Sequence, residues 1–203
     1  MHPLAFLYVS LLFIAWLSFL SYTQVACFGF YIVQYSSKHR DAVVVASGAK
    51  ADRVPNGIVF TNESTAGLSY AAWTYDAPVT DYQLSMRVDQ NKPSEISVAV
   101  NSIATGGTQG LLVQMDAPDA AQQVAVSLVL NGLLVSKWQV PYSPSYTLTV
   151  QARRYLSQVT ITMGRKIMQV SADPASLVSI GKQLTIMGND GTIVRDIVLQ
   201  HCA

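Results

Sequence analysis

Charge is what this sequence has least of. Only 12% of its 203 residues are Asp, Glu, Lys or Arg, against about a quarter in ordinary soluble chains, so part of the protein does not need to face water. Thirteen basic and twelve acidic residues leave a net charge of +1, which excludes the concentrated basic surface of a nucleic-acid binder. Glutamate is scarcer still: Glu63 and Glu95 stand alone and far apart. The three histidines are His2, His39 and His201, so a histidine-based triad or metal site within residues 41–200 is excluded. Two cysteines rule out a disulfide-stapled miniprotein or a Cys-rich zinc module. Cys27 lies in an apolar run and Cys202 near the end of the sequence, and we expect no structural disulfide between them. Amphipathic helical stretches are missing after Val33, where only Pro174–Ile180 offers a turn or two.

What the chain does have is a long apolar start. Its first 37 residues carry no acidic or basic side chain, and Pro3–Val33 is interrupted only at Ser21-Tyr22-Thr23-Gln24. As a helix this run would reach roughly 45 Å, against ~30 Å for a hydrocarbon core. It would span with tilt, or span in part and rest in the headgroup layer. The expectation is a transmembrane helix over 1–37, anchored by Leu4, Phe6, Leu11, Phe13, Trp16, Leu20, Phe28 and Tyr31, with Lys38 and Arg40 flanking it at the interface. A cleaved secretory signal fits less well, because Met-His-Pro is no basic n-region and the run exceeds the usual ~7–15 apolar residues. Gln24-Val25-Ala26-Cys27 is a poor lipoprotein box, with Gln where an aliphatic residue belongs. A buried core helix would need a larger soluble domain around it.

Lys38-His39-Arg40 follow the run and nothing basic precedes it. The positive-inside rule therefore places a single-pass protein with its C-terminal part on the cytoplasmic side, or its topological equivalent. There the sequon Asn62-Glu63-Ser64 would stay unmodified.

Beyond a tether at 38–54 the pattern changes to alternation. Tyr82, Leu84, Met86 and Val88 share one face, while Gln83, Ser85 and Arg87 take the other, the period-two mark of a half-buried strand. The same pattern recurs at 95–100, 122–130, 146–152, 159–163 and 192–199, with less regular strands at 57–61, 67–73, 110–115, 133–140 and 183–187. Turn signals separate them, the sharpest being Asn131-Gly132 between Leu130 and Leu133, a two-residue hairpin of the I′ kind. Ten or so short strands at this spacing predict an all-β, antiparallel two-sheet sandwich over residues 55–203.

Two stretches carry a resemblance. Tyr146–Arg153 followed by Gln158–Ile167, and Gly181–Gly188 followed by Thr192–Leu199, resemble late and closing strands of concanavalin A-like (laminin-G, lectin-type) sandwiches. The likeness covers roughly residues 57–200 and is one of strand pattern. It departs from the family at Met163-Gly164, where a polar pair such as Asp-Gly is frequent. It implies a jelly-roll fold that hosts lectins, glycosidases and purely structural modules, and the fold alone does not choose among them.

No constellation for catalysis emerges. A glycosidase needs two carboxylates about the scissile bond, and the family's enzymes place alternating acids on one strand, which this chain lacks. Asp116/Asp119 and Asp76/Asp81 flank turns, where Asp is favoured for local backbone hydrogen bonds. Neither these nor Asn189-Asp190 has calcium-loop spacing, and no cofactor motif is present. Arg153, Arg154, Arg165 and Lys166 would form a small basic patch for headgroups or an acidic partner if their strands pair closely.

These features predict a non-enzymatic structural protein, a membrane-anchored sandwich whose partners are the bilayer and other proteins of an assembly. A minor capsid component of a virion with an internal lipid layer, such as that of a large DNA virus, fits this description. So does an accessory subunit of a membrane complex. The alternative is an anchored glycan-binding module of the laminin-G or lectin type.

Overall fold

A computed structural model describes residues 30–35, 44–45, 50–54, 57–61, 69–103, 110–178 and 180–202. These residues form two antiparallel sheets. The first runs, in spatial order, β13 (Lys166–Ser171), β12 (Gln158–Met163), β11 (Ser145–Arg153), β6 (Tyr82–Gln90), β15 (Thr192–His201), β4 (Gly57–Thr61) and β3 (Lys50–Val54). An eighth strand, β1 (Tyr31–Tyr35), pairs with the free stretch of β15 beyond β4. The second sheet runs β10 (Leu133–Pro141), β9 (Gln123–Leu130), β8 (Leu111–Met115), β7 (Ile96–Ser102), β14 (Gln183–Gly188), β5 (Ser69–Thr74) and β2 (Val44–Val45).

Alternation decides which side chains enter the core. Leu84, Met86, Leu148, Val150 and Ile161 point inward from the first sheet; Val98, Val113, Val126, Leu128, Leu184 and Ile186 meet them from the second, all fully buried. Burying such side chains contributes about 1.5–3 kcal/mol each, ample for a sandwich of this size. The eleven strands expected between residues 57 and 199 are all present, with ends shifted by a residue or two. At Asn131-Gly132 both residues take positive φ (49° and 84°), as a I′ turn requires. Segment 174–180 forms turns, and its described residues are not helical.

The N-terminal expectations change. Tyr31–Tyr35 is a strand of the sandwich, with Val33 opposite Leu199 and Tyr35 opposite Ile197. Both are buried, and Tyr35 meets Trp73 edge to face at 6.1 Å. Tyr31 is therefore not part of a membrane helix, because its backbone pairs with Gln200. Nor is 38–54 only a tether, since β2 and β3 within it pair with β5 and β4. The other anchor residues, Leu4, Phe6, Leu11, Phe13, Trp16, Leu20 and Phe28, and the flanking Lys38 and Arg40 lie outside the described residues. No described helix is long and apolar enough to cross a membrane.

Because the strands run lengthwise, their connections gather at two ends. One end carries the start of β1, the finish of β15, and the β5–β6, β7–β8, β9–β10, β11–β12 and β13–β14 connections. The other carries the β6–β7, β8–β9, β10–β11, β12–β13 and β14–β15 connections.

Candidate functional site

Several described acidic side chains are engaged with the backbone or with single cations. Asp119 Oδ1 accepts the N–H groups of Ala121 and Gln123, each at 2.9 Å. Asp116 faces Lys137 and Asp190 faces Lys92, both at 3.6 Å. Asp81 Oδ1 accepts the Arg154 N–H at 2.8 Å, and Oδ2 accepts the Thr80 hydroxyl. Of these, only Asp119 fixes its own turn in the way expected for Asp beside a turn; Asp81 instead ties two connections together. Among the described residues no three of His, Cys, Asp and Glu gather as a metal site.

The most connected carboxylate is Asp89, which accepts from Ser145 Oγ at 2.6 Å, Arg195 Nε at 3.1 Å and Arg87 Nε at 3.3 Å. Partial burial pushes its pKa up, but the Ser145 hydroxyl and the two guanidinium groups outweigh that and hold it below the ordinary value. It is a fixed anion rather than a proton donor. Tyr75, Tyr82 and Tyr146 have hydroxyls pushed well above the usual tyrosine range by burial, so none supplies a phenolate near neutral pH. Towards the other end of β6, the outer face of the first sheet carries Gln83, Gln151 and Thr160 in register, with Gln151 donating to Gln83. These amides and hydroxyls include no nucleophile–base pair.

Two open clefts remain. At the end where β1 begins, one of about 560 Å³ is lined by Tyr31, Thr74, Tyr75, Asp76, Pro78 and His201 among others. At the opposite end, one of about 380 Å³ is lined by Tyr142, Ser143, Ser145, Tyr146, Arg165 and Lys166, together with apolar neighbours and no carboxylate.

That second cleft receives only half of the expected basic patch. Arg153 pairs across to Gln158, whereas Lys166 pairs with Met163 at the other end of β12. Five residues of extended strand separate the levels, about 17 Å. A hairpin brings together residues next to its own turn, and Arg165 belongs to the following turn. Arg153 is also buried, leaving Arg154 exposed at one end and Arg165 and Lys166 at the other.

Two features were missed by the sequence reading. Cys202 is disulfide-bonded and buried, and Cys27 is the only other cysteine in the sequence. The expectation of no disulfide fails because β1 returns the N-terminal part of the chain to the finish of β15. There the His201 N–H donates to the Phe30 carbonyl at 3.1 Å. The disulfide also leaves His201 beside a cystine, not a thiol nucleophile.

The second missed feature is an imbalance in apolar exposure. Eleven large hydrophobic side chains are exposed among the described residues. Ten of them lie on connections or strand starts at the end where β1 begins, and only Ile167, on β13, lies towards the other. Scattered exposed hydrophobes are ordinary, but a one-ended set marks an interaction surface. Leu133 is 74% and Ile180 77% exposed, in loops separated along the sequence, so no local pattern announces them.

No family model matches the sequence, and no curated protein matches it. Solved structures do match in shape. Lectin II from Ulex europaeus aligns over 86% of this chain and 97% of its own at TM-score 0.56 and 13% identity. A galectin-like protein of unknown function from Bacillus subtilis aligns over 88% and 99% at TM-score 0.64 and 6% identity. The alginate lyase PA1167 from Pseudomonas aeruginosa aligns over 74% and 85% at TM-score 0.50 and 11% identity. At such identities the likeness is one of fold, and this fold carries both binding and catalysis. With two antiparallel sheets ordered as described, the chain has a concanavalin A-like, lectin-type β-sandwich fold.

Proposed function

We propose that this protein is a non-enzymatic recognition module held at a membrane by its apolar N-terminal run. The observation that carries the reading is where that run meets the sandwich. The run leads into Phe30, whose carbonyl accepts the His201 N–H, at the same end as ten of the eleven exposed large hydrophobes among the described residues. With β1 assigned to the sandwich, Pro3–Leu20 still provides nearly the ~20 apolar residues a span needs.

The disulfide supports placing the domain on an oxidising, extracytoplasmic side, since disulfides rarely persist in reducing compartments. That reverses the orientation drawn from Lys38 and Arg40, which follow a strand of the folded domain rather than a membrane helix. On that side Asn62-Glu63-Ser64 becomes a glycosylation acceptor.

Alkaline extraction of membranes from cells making the full chain tests the anchor. The chain should stay in the pellet, and removing residues 1–25, which spares Cys27 and β1, should release it. Full-length chain in the supernatant would sink the reading. A glycosidase-sensitive mobility shift abolished by Asn62→Gln tests the compartment.

A second reading is favoured by the cleft of Tyr142, Ser143, Ser145, Tyr146, Arg165 and Lys166. Hydroxyls, aromatic rings and two cations without a carboxylate suit an acidic saccharide, and one structural neighbour is named a lectin. Binding to a uronate or sulfated glycan array, lost on Arg165→Ala with Lys166→Ala, would establish it. An array without signal would leave a protein as the recognised partner.

A further inference from the structure

The exposed hydrophobes belong to one continuous surface, because the loops that carry them are bonded to one another. Starting at the chain's entry, the Phe30 carbonyl accepts from the His201 N–H, and the next residue, Cys202, donates to the Asp81 carbonyl at 2.8 Å. The Asp81 carboxylate holds the Arg154 N–H, which opens the turn bearing Tyr155 and Leu156. From that turn the Ser157 carbonyl accepts the Ala172 N–H at 2.8 Å. Further along the same segment, the Ser176 carbonyl accepts Asn131 Nδ2 at 2.9 Å, at the tip of the hairpin bearing Leu133 and Leu134. Asn131 Oδ1 in turn accepts the Gly110 N–H at 3.1 Å. Five connections, with the start of β1 and the finish of β15, therefore form one braced end face, so its apolar tips move together rather than as separate loops.

What covers this face is indicated by the chain that enters it. Residues 1–37 carry no charge, and Cys27-Phe-Gly-Phe30 is apolar up to the first strand. Between Pro3–Leu20 and the sandwich stand only the uncharged Ser21–Gln24 break and the short Val25–Gly29 stretch. Cys27 is three residues from Phe30, at most about 10 Å of extended chain, and Cys202 lies on the same face. A bilayer entered by this run therefore lies against this end and not against the other.

The charge of the face agrees with insertion rather than with electrostatic adhesion. Arg154 and Lys182, with Arg153 buried beneath, stand against Asp76, Asp81 and Asp173, whereas a surface held by anionic lipid would carry a basic excess.

We infer that this end face is a membrane seat: Leu133, Leu134, Tyr155, Leu156 and Ile180, with Phe30, enter the boundary between headgroups and acyl chains. Interfacial attachment of this kind scales with the apolar area buried. The inference rests on the membrane-held reading and adds a second, non-helical contact with the same bilayer. The far end, with the Tyr142/Arg165 cleft, then points away from the lipid.

Photolabelling separates the two ideas. Full-length chain is reconstituted in phosphatidylcholine vesicles with a photoactivatable lipid whose reactive group sits at the headgroup–acyl boundary, and adducts are mapped by mass. The expected result is adducts within residues 1–29 and also in 131–135 and 154–157, at least five-fold above those in 117–122 and 163–166. Replacing a tenth of the lipid by phosphatidylserine should change the pattern less than two-fold. Leu133→Ser with Leu156→Ser should lower adducts in the two loops at least three-fold while leaving those in 1–29 unchanged. Adducts in 1–29 alone would overturn the seat and keep the anchor, whether residues 1–29 themselves or a second copy of the chain cover the face. Absence of adducts in 1–29 would overturn the anchor. A strong dependence on phosphatidylserine would overturn the apolar basis of the seat.

Discussion

The two ends of this sandwich are made from comparable sets of tight connections, yet they are stabilised by different means. At the end where β1 begins, the pieces are held by long-range devices. Asn101, at a φ of 58°, accepts from the Tyr75 hydroxyl and the Val79 N–H through Oδ1, at 2.8 and 3.1 Å. Its Nδ2 donates to the Val79 carbonyl, and its own N–H bonds the Tyr75 hydroxyl at 2.9 Å. The Cys202 disulfide lies on the same end face. At the far end the comparable buried contact is smaller: Ser94 Oγ and Thr192 Oγ1 lie 3.0 Å apart, and Gln90 Nε2 donates to the Ser94 carbonyl at 2.9 Å. Loops that expose large hydrophobes to their surroundings lack the drive to fold back on themselves. Covalent and buried polar bonds take over that role, so one end is cross-linked and greasy while the other is turn-closed and polar.

Removing the covalent brace should have the largest effect. Cys202→Ser is expected to lower stability by about 3–4 kcal/mol, read from denaturant midpoints under non-reducing conditions. Reductant should lower the midpoint of the parent chain and leave the variant's unchanged. A midpoint equal to the parent's would mean that the disulfide does not brace this end.

The polar hub comes next. Asn101→Ala leaves buried partners unsatisfied and should cost about 2–3 kcal/mol, with faster amide exchange in 75–81. Its counterpart at the far end, Thr192→Val, removes one hydroxyl contact and should cost about 1 kcal/mol. Equal losses from the two would abolish the contrast drawn between the ends.

The smallest effect concerns Asp89, on the outer face of the first sheet. Its pKa is lower in the folded protein than in the unfolded chain. Its contribution is therefore present above the unfolded value of 3.8 and is lost as pH falls through the folded one. Its side chain is 21% exposed and its partners are partly solvated, so Asp89→Asn should cost little at pH 7. The variant should show a flatter loss of stability below about pH 4 than the parent, measured by thermal unfolding across that range.

How much of this was legible in the sequence depends on the distance over which each feature is written. Strands such as Tyr82–Gln90 declare themselves within eight residues, because one face is buried and the next side chain is not. The Asn131-Gly132 turn is equally local, since few residue pairs accept two positive φ angles. β1 was hidden because Tyr31-Ile32-Val33-Gln34-Tyr35 continues an apolar run with only one polar position. The sole clue was the break at Ser21–Gln24, which divides that run.

The candidate sites were harder still. Arg153 and Lys166 sit on the two strands that flank β12 but at opposite levels, a distinction that antiparallel register imposes and residue spacing conceals. The link through Cys202 and the apolar end depend on segments brought together from six parts of the chain, so neither has a local signature. The nearly even formal charge gave no hint of sidedness, because the asymmetry lies in uncharged side chains.

The pairing of β1 with β15 also bears on when the molecule can be finished. β15 occupies Thr192–His201, far along the chain from β1, and it is the strand that joins β1, β4 and β6. A ribosome delivers β1 long before β15, so Val33 and Tyr35 wait without their neighbours until that strand emerges. The first sheet closes only once β15 is available, through contacts of very high sequence separation, the kind that folds slowly. Meanwhile an uncapped, apolar strand edge stays available to other chains. A nascent polypeptide whose leading segment is already held in a bilayer would keep that edge away from its counterparts until β15 arrives.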